Sequence, residues 1–266
     1  MDPSAAPNPP QRLGEFLGRL TVAAPLPAVA PALPALFDDT FSVLKLVLTL
    51  AILALSLALH EAAHAWAALK CGDSTARDLG RLTLNPIPHI DLWWTILIPG
   101  MILLFSNGAF VFGGAKPVPV DFHRLRNPWR DMSLVAAAGP LSNLVLVFVF
   151  VFLWHFFVKT GLYNGAAEDP YLRQGDLLPV VMLQGAFLNA LLFAFNLIPI
   201  PPLDGSRILT WLLPSSLRES YNAVGGFGIL IVFLLMRWQP FARQVYGAMD
   251  TALGVAEQAV TLGGRW

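Results

Sequence analysis

Apolar stretches of about 20 residues, nearly free of charge, recur along this chain between short polar segments. Such stretches match a bilayer's hydrocarbon core of about 30 Å at ~1.5 Å of rise per helical residue. The pattern predicts apolar helices at Phe41–Leu69, Leu92–Phe112, Ser133–Val158, Leu178–Pro199 and Asn222–Met236. The last reaches only 17 uncharged residues even with Ser220 and Tyr221 added. Residues 1–40 differ: Pro25, Pro27, Pro31 and Pro34 break every apolar run, and each interior proline costs a helix about 3 kcal/mol. Phe241–Trp266 is mildly amphipathic. The expected organisation is a Pro/Ala-rich arm (1–40), a transmembrane domain (41–238) and a C-terminal surface segment (239–266).

Composition supports a polytopic membrane protein, with 56% hydrophobic and only 13% charged residues. Soluble domains are about a quarter charged. The net charge is zero and no basic tract suggests a nucleic-acid partner. The lone Cys71 rules out an intramolecular disulfide and cannot by itself build a thiolate zinc site.

One span carries unexpected chemistry. Residues 46–59 have no charge, and then His60-Glu61-Ala62-Ala63-His64 follows. Ionisable groups at membrane depth are costly and mark function. Helical residues four apart share a face with Cβ atoms about 5–6 Å apart. His60 and His64 can therefore chelate one zinc, while Glu61 reaches a water beside it as general base. Fifteen residues separate Lys45 from His60, about 22 Å of helix. The motif thus lies below one membrane surface, away from the midplane.

A third ligand must come from elsewhere. A histidine six residues after His64 is absent, because Lys70 stands there. Asp204 follows Asn196-Leu197-Ile198-Pro199-Ile200-Pro201-Pro202-Leu203, where prolines unwind the end of a span. Irregular backbone at membrane depth is tolerated only against protein or a water-filled cavity. Asp204 is favoured on that ground, with His89 and Asp91 as alternatives on the same side. His155, near the far face, and His123, in a basic loop, are expected to be non-ligands.

Topology constrains this choice. For Asp204 to meet the histidines, the chain from 64 to 204 must cross the membrane an even number of times, yet three apolar stretches intervene. The weakest, 92–112, is interrupted by Pro99-Gly100 and Ser106-Asn107-Gly108. It is predicted to dip in and return as a re-entrant hairpin. Residues 70–91, 113–132 and 200–221 then share one side and carry Lys70, Arg77, Arg81, Lys116, Arg124, Arg126, Arg130, Arg207 and Arg218. The positive-inside rule assigns that side to the cytoplasm.

Further segments complete a pattern: Gly80-Arg81-Leu82-Thr83-Leu84-Asn85-Pro86 with His89-Ile90-Asp91, and Phe112-Gly113-Gly114-Ala115-Lys116-Pro117-Val118-Pro119-Val120. Ala138-Gly139-Pro140-Leu141-Ser142-Asn143 and Asn196 through Gly205 follow. In this order, over roughly residues 45–210, the chain resembles the site-2 protease family of intramembrane zinc metalloproteases, in its compact bacterial branch without a PDZ domain. Two departures are Gly114, where similar proteins often have tryptophan, and Leu92-Trp93 in place of a proline-containing turn.

The resemblance implies one zinc held by His60, His64 and Asp204, with Glu61 catalytic. It also implies an all-α fold: a three-helix core from the spans at 41–69, 133–158 and 178–199, with peripheral helices. Asn143 and Asn196 match polar positions of that core, where an amide can hold unwound substrate or equally bridge helices by hydrogen bonds. The proline-bearing stretch around Lys116 and Val118 suits a short β-like edge that pairs with substrate. Expected partners are single-span transmembrane substrates, the lipid bilayer of a prokaryotic cell membrane, and a regulatory membrane partner. Two other readings stand beside proteolysis of transmembrane substrates. One is a catalytically silent homologue that binds or chaperones membrane proteins; the other is a membrane-embedded zinc protease acting on soluble or lipidated proteins.

Overall fold

The computed structural model describes residues 40–98, 114–163 and 177–263. The proline-rich arm at 1–39 lies outside the described residues, as do 99–113. The elements are α1 (Thr40–Cys71), α2 (Thr75–Asp78), α3 (Pro128–Lys159), α4 (Leu177–Asn196), α5 (Asp204–Leu212), α6 (Ser215–Asn222), α7 (Gly228–Met236) and α8 (Gln239–Gly263). Short helical turns occupy Ile87–His89, Leu92–Leu97, Phe122–Arg124 and Ala223–Gly226. No strand occurs among the described residues. The fold is all-α, as the apolar pattern requires.

Helices α1 and α3 each run 32 residues, about 48 Å of helix. Among the described residues, two stretches, Val47–Cys71 and Pro128–Lys159, are long and apolar enough to cross a membrane. The bent pair Ser215–Gly225 and Gly228–Met236 adds a third if it counts as one span. Within α4, the apolar stretch Val181–Asn196 is shorter. Helices α1, α3 and α4 pack on one another and form the expected three-helix core.

In lipid the apolar tails compete for contact, so helices associate through close approach of small residues. Ala186, Ala190 and Ala194 of α4 are buried against Val147 and Val151 of α3 in this way. Gly185 follows the same logic, since a Cβ there would strike the ring of Phe150.

The expected surface segment at 239–266 contains α8, which packs on both α3 and α4. Its buried stripe of Val245, Met249, Leu253 and Ala256 recurs every three to four residues and joins the same core. The mild amphipathicity of this segment thus reflects a face seated on protein.

The segment 92–112 leaves and re-enters the described structure at one place. Asp91 caps the turn Leu92–Leu97 by accepting from the backbone N–H groups of Trp93 and Trp94. On the returning side, the Gly114 N–H donates to the Trp94 carbonyl at 3.0 Å, and the Lys116 N–H to the His89 carbonyl at 2.7 Å. The Thr95 hydroxyl donates to the Gly114 carbonyl at 2.7 Å. Backbone groups bonded across these two ends hold them side by side. The stretch expected to form a re-entrant hairpin, residues 99–113, lies outside the described residues.

Residues 114–121 form no helix, strand, turn or bend, and Asp121 is extended. Pro117 and Pro119 lack the N–H that a helix needs, and the residue before each is pushed toward extended backbone. Buried Asp73 anchors the far end of this segment to the end of α1. One of its oxygens accepts from the Thr75 N–H and hydroxyl, and the other from the Asp121 N–H at 2.7 Å. Burial opposes the charge, but these hydrogen bonds prevail and hold the Asp73 carboxyl below its ordinary range.

Candidate metal centre

His60 and His64 sit one turn apart on α1, 4% and 8% exposed. Asp204 opens α5, which packs on α3. Asp204 Oδ2 lies 3.2 Å from His60 Nε2 and 3.3 Å from His64 Nε2. The two Nε2 atoms are 3.0 Å apart. Three ligand atoms thus form a nearly equilateral triangle.

Two glycines make the triangle sterically feasible. A Cβ on Gly139 would collide with His64 Nε2 and His60 Cε1, so only glycine lets α3 pass behind both imidazoles. A Cβ on Gly205 would collide with the backbone of Leu197 and Ile198, so glycine seats the start of α5 on the end of α4. Pro140 inside α3 removes one helical N–H. In the turn just before it, the Val135 carbonyl accepts from His64 Nδ1 at 2.7 Å.

The protonation pattern tests whether these residues fit a metal. A backbone carbonyl only accepts, so His64 carries its proton on Nδ1. His60 Nδ1 meets the Oδ1 of Asn143 at 2.6 Å, which fixes the same tautomer. In the neutral imidazoles that bind metals, both Nε2 lone pairs then point at each other and at the buried Asp204 Oδ2. Three acceptors converging without a proton repel unless a cation lies between them. Tetrahedral zinc with bonds of about 2.0–2.1 Å separates its ligand atoms by roughly 3.3 Å, close to the observed edges. The donor set fits zinc.

His60, His64 and Asp204 are the one such cluster of potential metal ligands among the described residues. His89 is buried, its Nε2 3.1 Å from the Thr83 carbonyl, and Asp91 is a helix cap. Neither joins the group. His155 contacts the Val151 carbonyl of its own helix through Nδ1, and His123 is exposed in its loop.

Glu61, 9% exposed, accepts the Val118 N–H on Oε2 at 2.7 Å. The segment 114–121 thus runs past the carboxylate beside the ligand cluster. The Val118 side chain packs with Ala65, Ala76 and Leu82. Lys116 is exposed, and its carbonyl accepts from Arg81 at 2.8 Å. Asn196 is half-buried at the end of α4 and donates to the Leu192 carbonyl.

Asn143, for which substrate contact and helix bridging were both expected possibilities, is fully buried with its amide bonded to His60 on one side and Asn189 on the other. Sequence reasoning missed Asn189 and Ser56, which continue this chain of contacts. The available signals were an amide amid the small and apolar residues of α4 and a hydroxyl one turn before His60.

A helical membrane protein with two imidazoles and a carboxylate around a cation-sized gap, and a glutamate beside them, defines an integral-membrane metallohydrolase. The chain belongs to peptidase family M50, the site-2 protease type of zinc metalloprotease, whose profile matches residues 48–175 and 166–236. It is 40% identical over 207 residues to YwhC of Bacillus subtilis, covering 78% of this chain and 86% of that protein. It is 30% identical over 217 residues to Rip2 of Mycolicibacterium smegmatis, covering 79% and 76% respectively. MJ0611 of Methanocaldococcus jannaschii is 30% identical over 172 residues, covering 64% and 73%. All three carry zinc-metalloprotease names. No solved structure matches the chain.

Proposed function

We propose that the protein cuts peptide bonds of transmembrane substrates near the cytoplasmic membrane face, with Glu61 as general base. The observation that carries this reading is the position of Glu61, next to a metal ligand in sequence and anchored by Val118 from the segment 114–121. Zinc held by His60, His64 and Asp204 would supply Lewis acidity, lowering the pKa of a water toward 7 and polarising the scissile carbonyl. The Val118 N–H fixes one carboxylate oxygen of Glu61 and leaves the other free to accept a proton. Glu61 takes that proton as water attacks the carbonyl, then passes it to the departing amine nitrogen.

Helical substrate shields its own carbonyls by hydrogen bonding, so it must unwind before cleavage. The edge around Lys116 and Val118 suits that step, because extended backbone pairs with extended backbone. Since the Val118 N–H already serves Glu61, pairing there would use the remaining backbone groups of the segment. Asn196, half-buried where α4 ends, is the amide available to substrate, whereas Asn143 is enclosed. The basic residues on the motif side support a cytoplasmic orientation in a prokaryotic membrane.

The test is incubation of purified protein with a panel of single-span substrates, comparing wild type with Glu61→Gln. Glu61→Gln is expected to keep its zinc and to lose activity by about 10²–10⁴-fold. Cleavage that survives the substitution rejects Glu61 as base.

A further inference from the structure

Behind His60, away from the reacting side, four buried groups form one line. The Gly185 carbonyl of α4 accepts from Asn189 Nδ2 at 2.8 Å. The same nitrogen donates to Ser56 Oγ of α1 at 2.9 Å. Asn143 Nδ2 of α3 donates to Asn189 Oδ1 at 3.0 Å, and Asn143 Oδ1 faces His60 Nδ1 at 2.6 Å. Ser56, Asn143 and Asn189 are 2%, 0% and 0% exposed.

The orientation of this line follows from one fixed end. A backbone carbonyl cannot donate, so the Asn189 atom facing Gly185 must be its nitrogen. Asn189 then turns its oxygen to Asn143, and Asn143 must answer with its nitrogen. That leaves only the Asn143 oxygen for His60, which must carry its proton on Nδ1. A flipped Asn143 would set two amide oxygens against each other. It would also offer His60 a donor, drawing the imidazole proton to Nε2, where the metal belongs.

We infer that Asn189, supported by Ser56, is a positioning residue for the zinc centre: acting through Asn143, it holds His60 in the tautomer that presents Nε2 to the metal. The Asn189 side chain bonds to Asn143, Ser56 and Gly185 and to no zinc ligand. The inference rests on the zinc centre and not on the choice of substrate, so its readout is zinc affinity. Partners of this kind, hydrogen-bonded behind metal ligands, typically change affinity 10–100-fold.

The experiment is zinc competition against a chromophoric chelator, using the full chain purified in detergent. Asn189→Leu is expected to weaken zinc binding by about 10–100-fold. In an Asn143→Asp background, the same Asn189→Leu change is expected to alter affinity by about twofold or less. The reason is that a carboxylate accepts from His60 whichever way it turns. A purely structural tie between helices would cost the same in both backgrounds, and equal losses would overturn the inference.

Should Asn189→Leu fail to fold, Asn189→Asp carries the test. It still offers Asn143 an acceptor, and when protonated it still donates to Gly185. Zinc affinity near wild type supports the relay, whereas a loss of tenfold or more in the folded variant overturns it.

Discussion

The two sides of the metal centre are built differently. On one side, α1, α3 and α4 enclose the histidines with fully buried amides, a proline-bearing helix turn and a glycine that admits no side chain. On the other, the segment 114–121 is held by separate ties: Lys116 to His89, Arg81 to Lys116, Val118 to Glu61 and Asp121 to Asp73. The first side fixes ligand atoms against mutual repulsion. The second leaves a flank of backbone beside the carboxylate, with side chains that range from the buried Val118 to the exposed Lys116. A hydrolase needs both, because metal geometry must be rigid while a polymer substrate must enter.

That contrast breaks most visibly on the enclosed side. Asp204→Ala removes a ligand, and Gly139→Val drives a side chain into both imidazoles. Either change is expected to lower zinc affinity by more than the roughly 100-fold upper range for groups that only support ligands. Bound metal per chain after chelator dialysis checks this; full retention in Asp204→Ala would reject the ligand set.

On the open side the expected signature is the reverse, with zinc kept and rate lost. Val118→Pro deletes the N–H that anchors Glu61, at a position already flanked by prolines. A hydrogen bond to a charged group contributes about 1.5–3 kcal/mol, so cleavage should slow by roughly 10–100-fold. Zinc content and cleavage rate measured on one preparation separate the two sides. A loss of metal in Val118→Pro would show that the flank supports the shell after all.

The smallest expected effect lies at the end of the flank. Asp73 has its carboxyl lowered by hydrogen bonds from Thr75 and Asp121, against the pull of burial. Its stabilisation is therefore present above the unfolded carboxylate value of about 3.9 and lost as pH falls through the lower folded value. Asp73→Ala should cost about 1–3 kcal/mol at pH 7, and the gap should narrow toward pH 3. Thermal melts of zinc-free protein at both pH values measure it; a gap that widens on acidification would contradict the sign.

Much of the site was legible in the chain. The spacing of His60 and His64 fixes two ligands because helical periodicity does not depend on what surrounds it. The proline frame around Asp204 marked a carboxylate on unwound backbone, and the parity of crossings required 92–112 to turn back. The ends at Trp94 and Gly114 are bonded to each other, while the stretch between them lies outside the described residues. Asn143 was visible as a polar residue in a span, but its partner was not, since contact with substrate and contact with another helix leave the same trace in sequence.

The sequence by itself determined the class of chemistry, the all-α membrane architecture and the three ligand candidates. Each of these follows from local periodicity, charge or chain crossing. Only the tertiary structure decided how the ligands are held: Gly139 as clearance for two imidazoles, Asn189 behind Asn143, Val118 on Glu61, and α8 seated on the core. These are contacts between residues far apart in the chain, and their geometry depends on how helices pack, which no local pattern encodes.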